Sequence, residues 1–160
     1  MKSCFLLATI CIFVLRSGFS DAGSDFDDCK AEFEAVGCYR DRRIKGRRAL
    51  GDLIFNHRDQ IDWLNFGIFI SELVCDCAKK AKEKGFTYFG LQFYGECWGS
   101  EKAGLTFAKY GKTERCWNGN YSKCQKSDKG HCVGRDNANF VFKLSAPEPE
   151  GSGSGNNALE

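Results

Sequence analysis

Apolar positions along residues 64–84 recur at helical spacing. Phe66, Phe69, Ile70, Leu73, Cys77 and Ala81 lie three or four apart, which draws one apolar stripe along an α-helix. Lys79, Lys80, Lys82 and Lys84 gather at its end, where cations are favoured by the helix dipole. Gly85 then supplies the left-handed residue that stops a helix. Residues 86–94 are aromatic and carry no charge, and predict a buried strand. Residues 138–144 set Ala138, Phe140, Phe142 and Leu144 against Asn139, Val141 and Lys143, the period of a strand that closes the sheet. A shorter strand is expected around 36–39. Before these, residues 1–20 read as a secretory signal: Lys2, an apolar run over 5–15, then the small residues Gly18 and Ser20. The run is too short and wrongly flanked for a spanning helix. No second apolar run reaches about 18 residues, so no membrane span is expected.

Cysteine usage agrees with that leader. The chain has 10 cysteines. Cys4 and Cys11 fall inside the signal segment, which leaves Cys29, Cys38, Cys75, Cys77, Cys97, Cys116, Cys124 and Cys132. An even set in an oxidising compartment predicts disulfides. Residues 29–145 make one small cysteine-rich domain, whose core is marginal without such staples. Each bridge should stabilise it by about 3–4 kcal/mol. Cys75 and Cys77 point about 200° apart on a helix and cannot readily bond each other there. Cys77 lies on the apolar stripe and should staple the helix to the core, whereas Cys75 faces elsewhere and ties down a loop.

Charge is unevenly spread. Without Lys2 and Arg16, 21 of the 23 basic residues remain, against 21 acids. Asp21, Asp25, Asp27 and Asp28 form an acidic leader over 21–28, and Glu148, Glu150 and Glu160 lie in a Gly/Ser-rich acidic tail over 146–160 whose composition predicts disorder. The region between keeps 14 acids and 21 bases. A basic core with acidic ends suits a polyanionic surface.

Gly37-Cys38-Tyr39-Arg40-Asp41, Arg48-Ala49-Leu50, Cys77-Ala78-Lys79-Lys80-Ala81, the run from Gly85 through Gly90-Leu91-Gln92-Phe93-Tyr94-Gly95-Glu96-Cys97-Trp98-Gly99, and the closing Val133-Gly134-Arg135-Asp136-Asn137-Ala138 segment together resemble the WSC and PAN/apple-like cysteine-rich modules. The likeness spans residues 37–144. It is greatest to modules in secreted and skeletal-matrix proteins of corals and other marine invertebrates. The resemblance implies an α+β fold in which one main helix packs on a small twisted antiparallel sheet pinned by disulfides. It also implies that Cys38, Cys77, Cys97 and Cys116 supply the shared framework, with Cys29, Cys75, Cys124 and Cys132 forming two further bridges. Carbohydrate binding is a habit of such modules.

Two residue groups can carry binding. Tyr94, Trp98 and Trp117, with Gln92, Glu96, Asn118 and Asn120 near them in sequence, suit a sugar platform, aromatic faces stacking on a pyranose while amides read hydroxyls. The bland alternative is that the tryptophans pack on disulfides. Arg40, Arg42, Arg43, Lys45, Arg47 and Arg48 crowd one short run, and arginine forks match sulfate, carboxylate and phosphate. A secreted chain meets sulfated polysaccharide rather than nucleic acid. A solvated loop or a dibasic processing site would look the same. Asn120-Tyr121-Ser122 is an N-glycosylation sequon between Cys116 and Cys124, and a glycan there would crowd Trp117.

Catalysis has little support, and no catalytic residue is expected. His57 and His131 are far apart, and His57-Arg58-Asp59 lacks the glycine-rich loop and Asp-Phe-Gly of a kinase. Cys75-Asp76-Cys77 lacks the further ligands that tetrahedral zinc needs. The acidic flanks can attract calcium weakly but form no binding loop. No cofactor or resident metal is expected. The leading expectation is therefore a secreted, non-enzymatic component of an extracellular matrix, a mineralised skeleton being one setting. It would bind anionic polysaccharide or acidic matrix protein. A lectin-like carbohydrate-binding module is the alternative, and a secreted effector or toxin a weaker one. Oligomeric state does not follow from these patterns.

Overall fold

The computed structural model describes residues 29, 31–128 and 131–146. The expected signal segment, the acidic leader and the tail beyond Ala146 lie outside the described residues. The fold is α+β: β1 (Phe33–Arg40), β2 (Asp52–Asn56), α1 (Phe66–Glu83), β3 (Tyr88–Gln92), β4 (Glu96–Gly99), a one-turn α2 (Ala103–Thr106), β5 (Cys116–Asn118), β6 (Cys132–Gly134) and β7 (Ala138–Leu144). Five strands form one sheet in the order β1-β7-β3-β4-β2, and β5 pairs with β6. Every pairing is antiparallel. No helix among the described residues is long and apolar enough to cross a membrane.

Helix α1 forms where the stripe places it and buries Phe66, Ile70, Leu73, Val74, Cys77, Ala78 and Ala81. Asp62 organises its entry: Oδ1 accepts from the Leu64 and Asn65 N–H groups at 2.9 and 3.0 Å. The hydrogen bonds from Asn65 hold the Asp62 carboxyl below its ordinary value. At the exit Gly85 takes φ +73°. Its N–H donates to Lys82 O at 2.9 Å and the Phe86 N–H to Ala81 O at 2.9 Å, a Schellman ending.

The sheet is covered on both sides. One face presents Phe89, Leu91, Cys97, Phe140, Phe142 and Leu144 to α1. The other presents Val141 to Tyr39, Leu50 and Ala103, with Tyr88, Trp98 and Phe107 packed around them. Strand β7 therefore does not close the sheet at an edge. It lies between β1 and β3, and its polar-parity residues Asn139 and Val141 are as buried as Phe142. The second cover comes from loop residues after β1 and from α2.

The aromatic stretch 86–94 is strand only over Tyr88–Gln92. Phe93 and Tyr94 turn the β3–β4 hairpin with φ of +49° and +67°, a left-handed region that side chains other than glycine rarely adopt. The Tyr94 N–H donates to Gly134 O at 3.1 Å, and the Arg58 guanidinium covers the Phe93 ring at 3.5 Å. These contacts hold a turn that costs about 1–3 kcal/mol per strained residue.

Four disulfides pin the layers: Cys29–Cys75, Cys38–Cys116, Cys77–Cys97 and Cys124–Cys132. Cys77 on the helix stripe bonds β4, and Cys75 on another face of α1 bonds Cys29. No bridge crosses between the framework set and the additional set named above.

Candidate functional site

The basic run folds back on itself. Ile44 and Arg47 exchange both backbone hydrogen bonds at 3.0 Å around Lys45 and Gly46, which have φ of +49° and +78°. Two left-handed central residues make the tight hairpin turn that a glycine at the second position favours. Lys45 sits at its tip. Arg40 is exposed at the end of β1, and Arg42 is exposed in the loop. Arg43, Arg47 and Arg48 line an open cleft of about 860 Å³, together with Lys102 and Lys109 from around α2, and with Phe86 and Trp98. Among the described residues, Asp52 and Glu101 are the only acids that line it. Arg43, Arg47 and Lys102 enter no ion pair among the described residues.

Beneath the cleft lies a buried polar cluster that fixes Arg48. Asp41 is almost wholly buried. Its Oδ1 accepts from the Ala49 N–H at 2.5 Å and its Oδ2 from Asn139 Nδ2 at 2.8 Å. Arg48 Nη1 donates to Asp41 O at 3.1 Å and stands 3.7 Å from Oδ2. The Gln92 amide, oriented by its neighbours, donates to Asp41 Oδ2 at 3.1 Å and accepts from Arg48 Nη1 at 2.7 Å. Burial pushes the Asp41 carboxyl above its ordinary value, against the opposing pull of the Ala49 N–H and the Arg48 charge. Gly90 makes room for this cluster, because a Cβ there would meet Leu50 Cδ1 at 2.6 Å and Asn139 at 3.1 Å.

Trp98 belongs to this cleft and not with Tyr94 and Trp117. Side chains alternate along β4. Cys97 points to the helix, so Glu96 and Trp98 point to the opposite face. The Trp98 indole N–H donates to Glu96 Oε2 at 2.9 Å, Arg58 stands 3.6 Å from Glu96 Oε1, and the Arg48 guanidinium lies 4.7 Å over the indole. One exposed face for sugar stacking is therefore already taken by a cation. Lys109 Nζ donates to Arg48 O at 2.8 Å, and Thr106 Oγ1 to Ala49 O at 2.6 Å, so α2 closes the cleft wall.

Tyr94 and Trp117 do meet, with ring centroids 5.6 Å apart. Arg135 covers Trp117 at 4.6 Å, and its Nε donates to Tyr94 Oη at 3.3 Å. The group continues through Trp63 and Tyr121, which the residue pattern alone did not single out. Trp63 packs on Phe66 and Tyr94 at 5.3 and 5.6 Å, and Tyr121 stacks on Phe66 at 4.9 Å. Lys102 and Lys109 were also missed: a one-turn helix has no period to read. Asn118 and Asn120 lie in the turn beside Trp117, where Asn118 Oδ1 accepts from the Asn120 and Ser122 N–H groups at 3.0 Å.

Cys124, Asp128 and Cys132 offer ligand atoms within 4.8 Å of one another, but the two sulfurs form a disulfide and hold no thiolate for a metal. No known protein family, curated protein or solved structure matches this chain.

Proposed function

We propose that this chain is a secreted, non-enzymatic matrix module, of the WSC/PAN-like kind, whose basic cleft binds anionic polysaccharide or an acidic matrix protein. The observation that carries the reading is the convergence of Arg43, Arg47, Arg48, Lys102 and Lys109 from two separate segments on one open cleft. Guanidinium forks pair with sulfate and carboxylate in two-point fashion. The groups without an ion-pair partner stand at the rim, while Arg48 is held at the floor by Asp41 and Gln92. Four disulfides suit an oxidising compartment.

The lectin-like reading rests on the Tyr94–Trp117 pair. It ranks second because Arg135 already covers Trp117 and binds the Tyr94 hydroxyl. The test is retention of the oxidised protein, residues 21–160, on heparin-like resin, chitin, cellulose and calcium carbonate under rising salt. Exposed charges are screened within about 8 Å at physiological ionic strength, so cleft-mediated retention on the anionic resin is released by salt. Salt-resistant retention on a neutral polysaccharide, lost in Trp117→Ala, supports the lectin-like reading instead. No retention on any of the four sinks both.

A further inference from the structure

The N-terminal end of α1 carries apolar side chains that no other described residue covers. Trp63 is 50 % exposed, Leu64 96 %, Ile68 56 % and Tyr121 44 %. Contiguous exposed apolar surface on a small protein marks a place that something occupies. Tyr121 is the middle residue of the Asn120-Tyr121-Ser122 sequon. One face of its ring lies on Phe66, the planes 4° from parallel, and its hydroxyl donates to Trp63 O. Trp117 meets it at 6.3 Å, the planes 84° apart, and the ring, so anchored, keeps 44 % of the residue exposed one position from Asn120.

We propose that Asn120 carries an N-linked glycan whose innermost N-acetylglucosamine lies on the outer face of Tyr121 and over Trp63, covering this patch. Asn120 is exposed. Its side-chain amide makes no hydrogen bond among the described residues, because the turn is capped by Asn118 Oδ1 instead. The acceptor nitrogen is free. The turn is also held in place. Gly119 packs so closely on Gly67 of α1 that a Cβ would meet its Cα at 2.5 Å, and the disulfides of Cys116 and Cys124 bracket the segment. A sugar on Asn120 is therefore delivered to one spot, beside amphipathic aromatic rings that pair an apolar face with a polar edge.

Attachment uses an oligosaccharide carried on a lipid pyrophosphate. The bond between Asn120 Nδ2 and the anomeric carbon forms, and the bond from that carbon to the pyrophosphate oxygen breaks. The pyrophosphate leaves with the electron pair, and Nδ2 loses one proton. The inference does not depend on the basic cleft, and its readouts involve no polyanion.

The experiment expresses the full chain through a eukaryotic secretory pathway. Intact mass is expected to exceed that of the polypeptide by one glycan, lost in both Asn120→Gln and Ser122→Ala. The glycan is then trimmed enzymatically to a single sugar, which leaves the fold undisturbed. Its N-acetyl methyl resonance is expected upfield of the free position, shifted by the rings beneath it, and to return toward that position in Tyr121→Leu. Complete removal of the sugar is expected to raise the fluorescence of an apolar-surface dye. A secreted chain without the added mass overturns the proposal. So does an attached sugar with an unshifted methyl and unchanged dye signal, or a dimer that buries Trp63 and Tyr121 whether or not the sugar is present.

Discussion

The two faces of the five-stranded sheet are built by different means. Toward α1 the cover is one apolar helix, and the interior is phenylalanine, leucine and a buried disulfide. Toward the basic loop the buried hydrophobic cluster among the described residues is Tyr39, Leu50, Ala103 and Val141, and they share the space with Asp41, Gln92, Asn139 and Glu96. The helix face stabilises by excluding water from apolar surface. The loop face spends buried polar groups on holding an arginine at a cleft floor. Such a network contributes when every partner is present and costs heavily when one is missing.

The largest expected effect is therefore on the helix face. Cys77→Ala with Cys97→Ala removes the bridge between α1 and β4, whose two half-cystines are fully buried. Loss of a native disulfide from a small domain costs about 2–5 kcal/mol. The expected outcome is loss of most of the cooperative unfolding transition in guanidinium. A midpoint close to the parent would break the comparison, because it would mean the helix layer does not carry the fold.

That face was legible because its logic is periodic. The stripe from Phe66 to Ala81, the stop at Gly85 and the bounds of β7 all follow from spacing and from one residue's conformational freedom. The loop face has no period. Asp41 sits among arginines and reads as one more solvated charge, and only its contacts with Ala49, Gln92 and Asn139 reveal it as buried. Asn139 and Val141 occupy the outward parity of β7, and nothing local announces that α2 and the loop will cover them. Strands β2, β5 and β6 are too short or too mixed to show alternation. Aromatic richness at 93–94 argued for strand, whereas contacts with Arg58 and Gly134 impose a turn. Both candidate chemistries were named by residue type, but Trp98 goes to the cations and Trp63 joins the aromatics. Strand parity and chain topology make that exchange, and neither shows in a list of residues.

The next effect in size tests the polar network. Asp41→Ala leaves the Ala49 N–H, the Asn139 amide and the Gln92 amide without their acceptor, and takes from Arg48 its carboxylate at 3.7 Å. Each orphaned buried group costs about 1–3 kcal/mol, so a loss of about 3 kcal/mol is expected in chemical denaturation. Asp41→Asn keeps the shape and one acceptor, and is expected to cost less than half as much. Equal losses for the two would show that cavity formation, not the network, sets the cost.

A smaller effect follows from the protonation of Asp41. Burial raises its folded-state value above the ordinary 3.8, so between those two values the native state holds more protons than the unfolded state. Stability then falls as pH rises through that window and levels off above it. This slope is expected to disappear in Asp41→Asn. Burial acts oppositely on His131, holding its folded value below the ordinary 6.5 against the raising effect of Asp128. Its contribution makes stability fall as pH drops below about 6.5, and His131→Gln should remove it. Unfolding midpoints across pH 3 to 8, each variant against the parent, separate the two; a parent curve that rises from pH 4 to 6 and is unchanged in Asp41→Asn would refute the assignment to Asp41.

The smallest effect on stability should accompany the largest effect on binding. Arg43, Arg47 and Lys102 line the cleft but enter no ion pair among the described residues. Surface changes of this kind stay within about 0.5 kcal/mol, so the triple alanine variant should unfold like the parent. If the cleft is the polyanion site, the same variant elutes from heparin-like resin at markedly lower salt. Removing the exposed cations Lys79, Lys80 and Lys82 from the end of α1 supplies the control, since it takes away the same charge from the other face. A cleft-specific site predicts unequal shifts from the two triples, whereas attraction by net charge alone predicts equal ones. The contrast between the faces then acquires a purpose: the helix face carries the stability that lets the loop face keep unpaired arginines in the open.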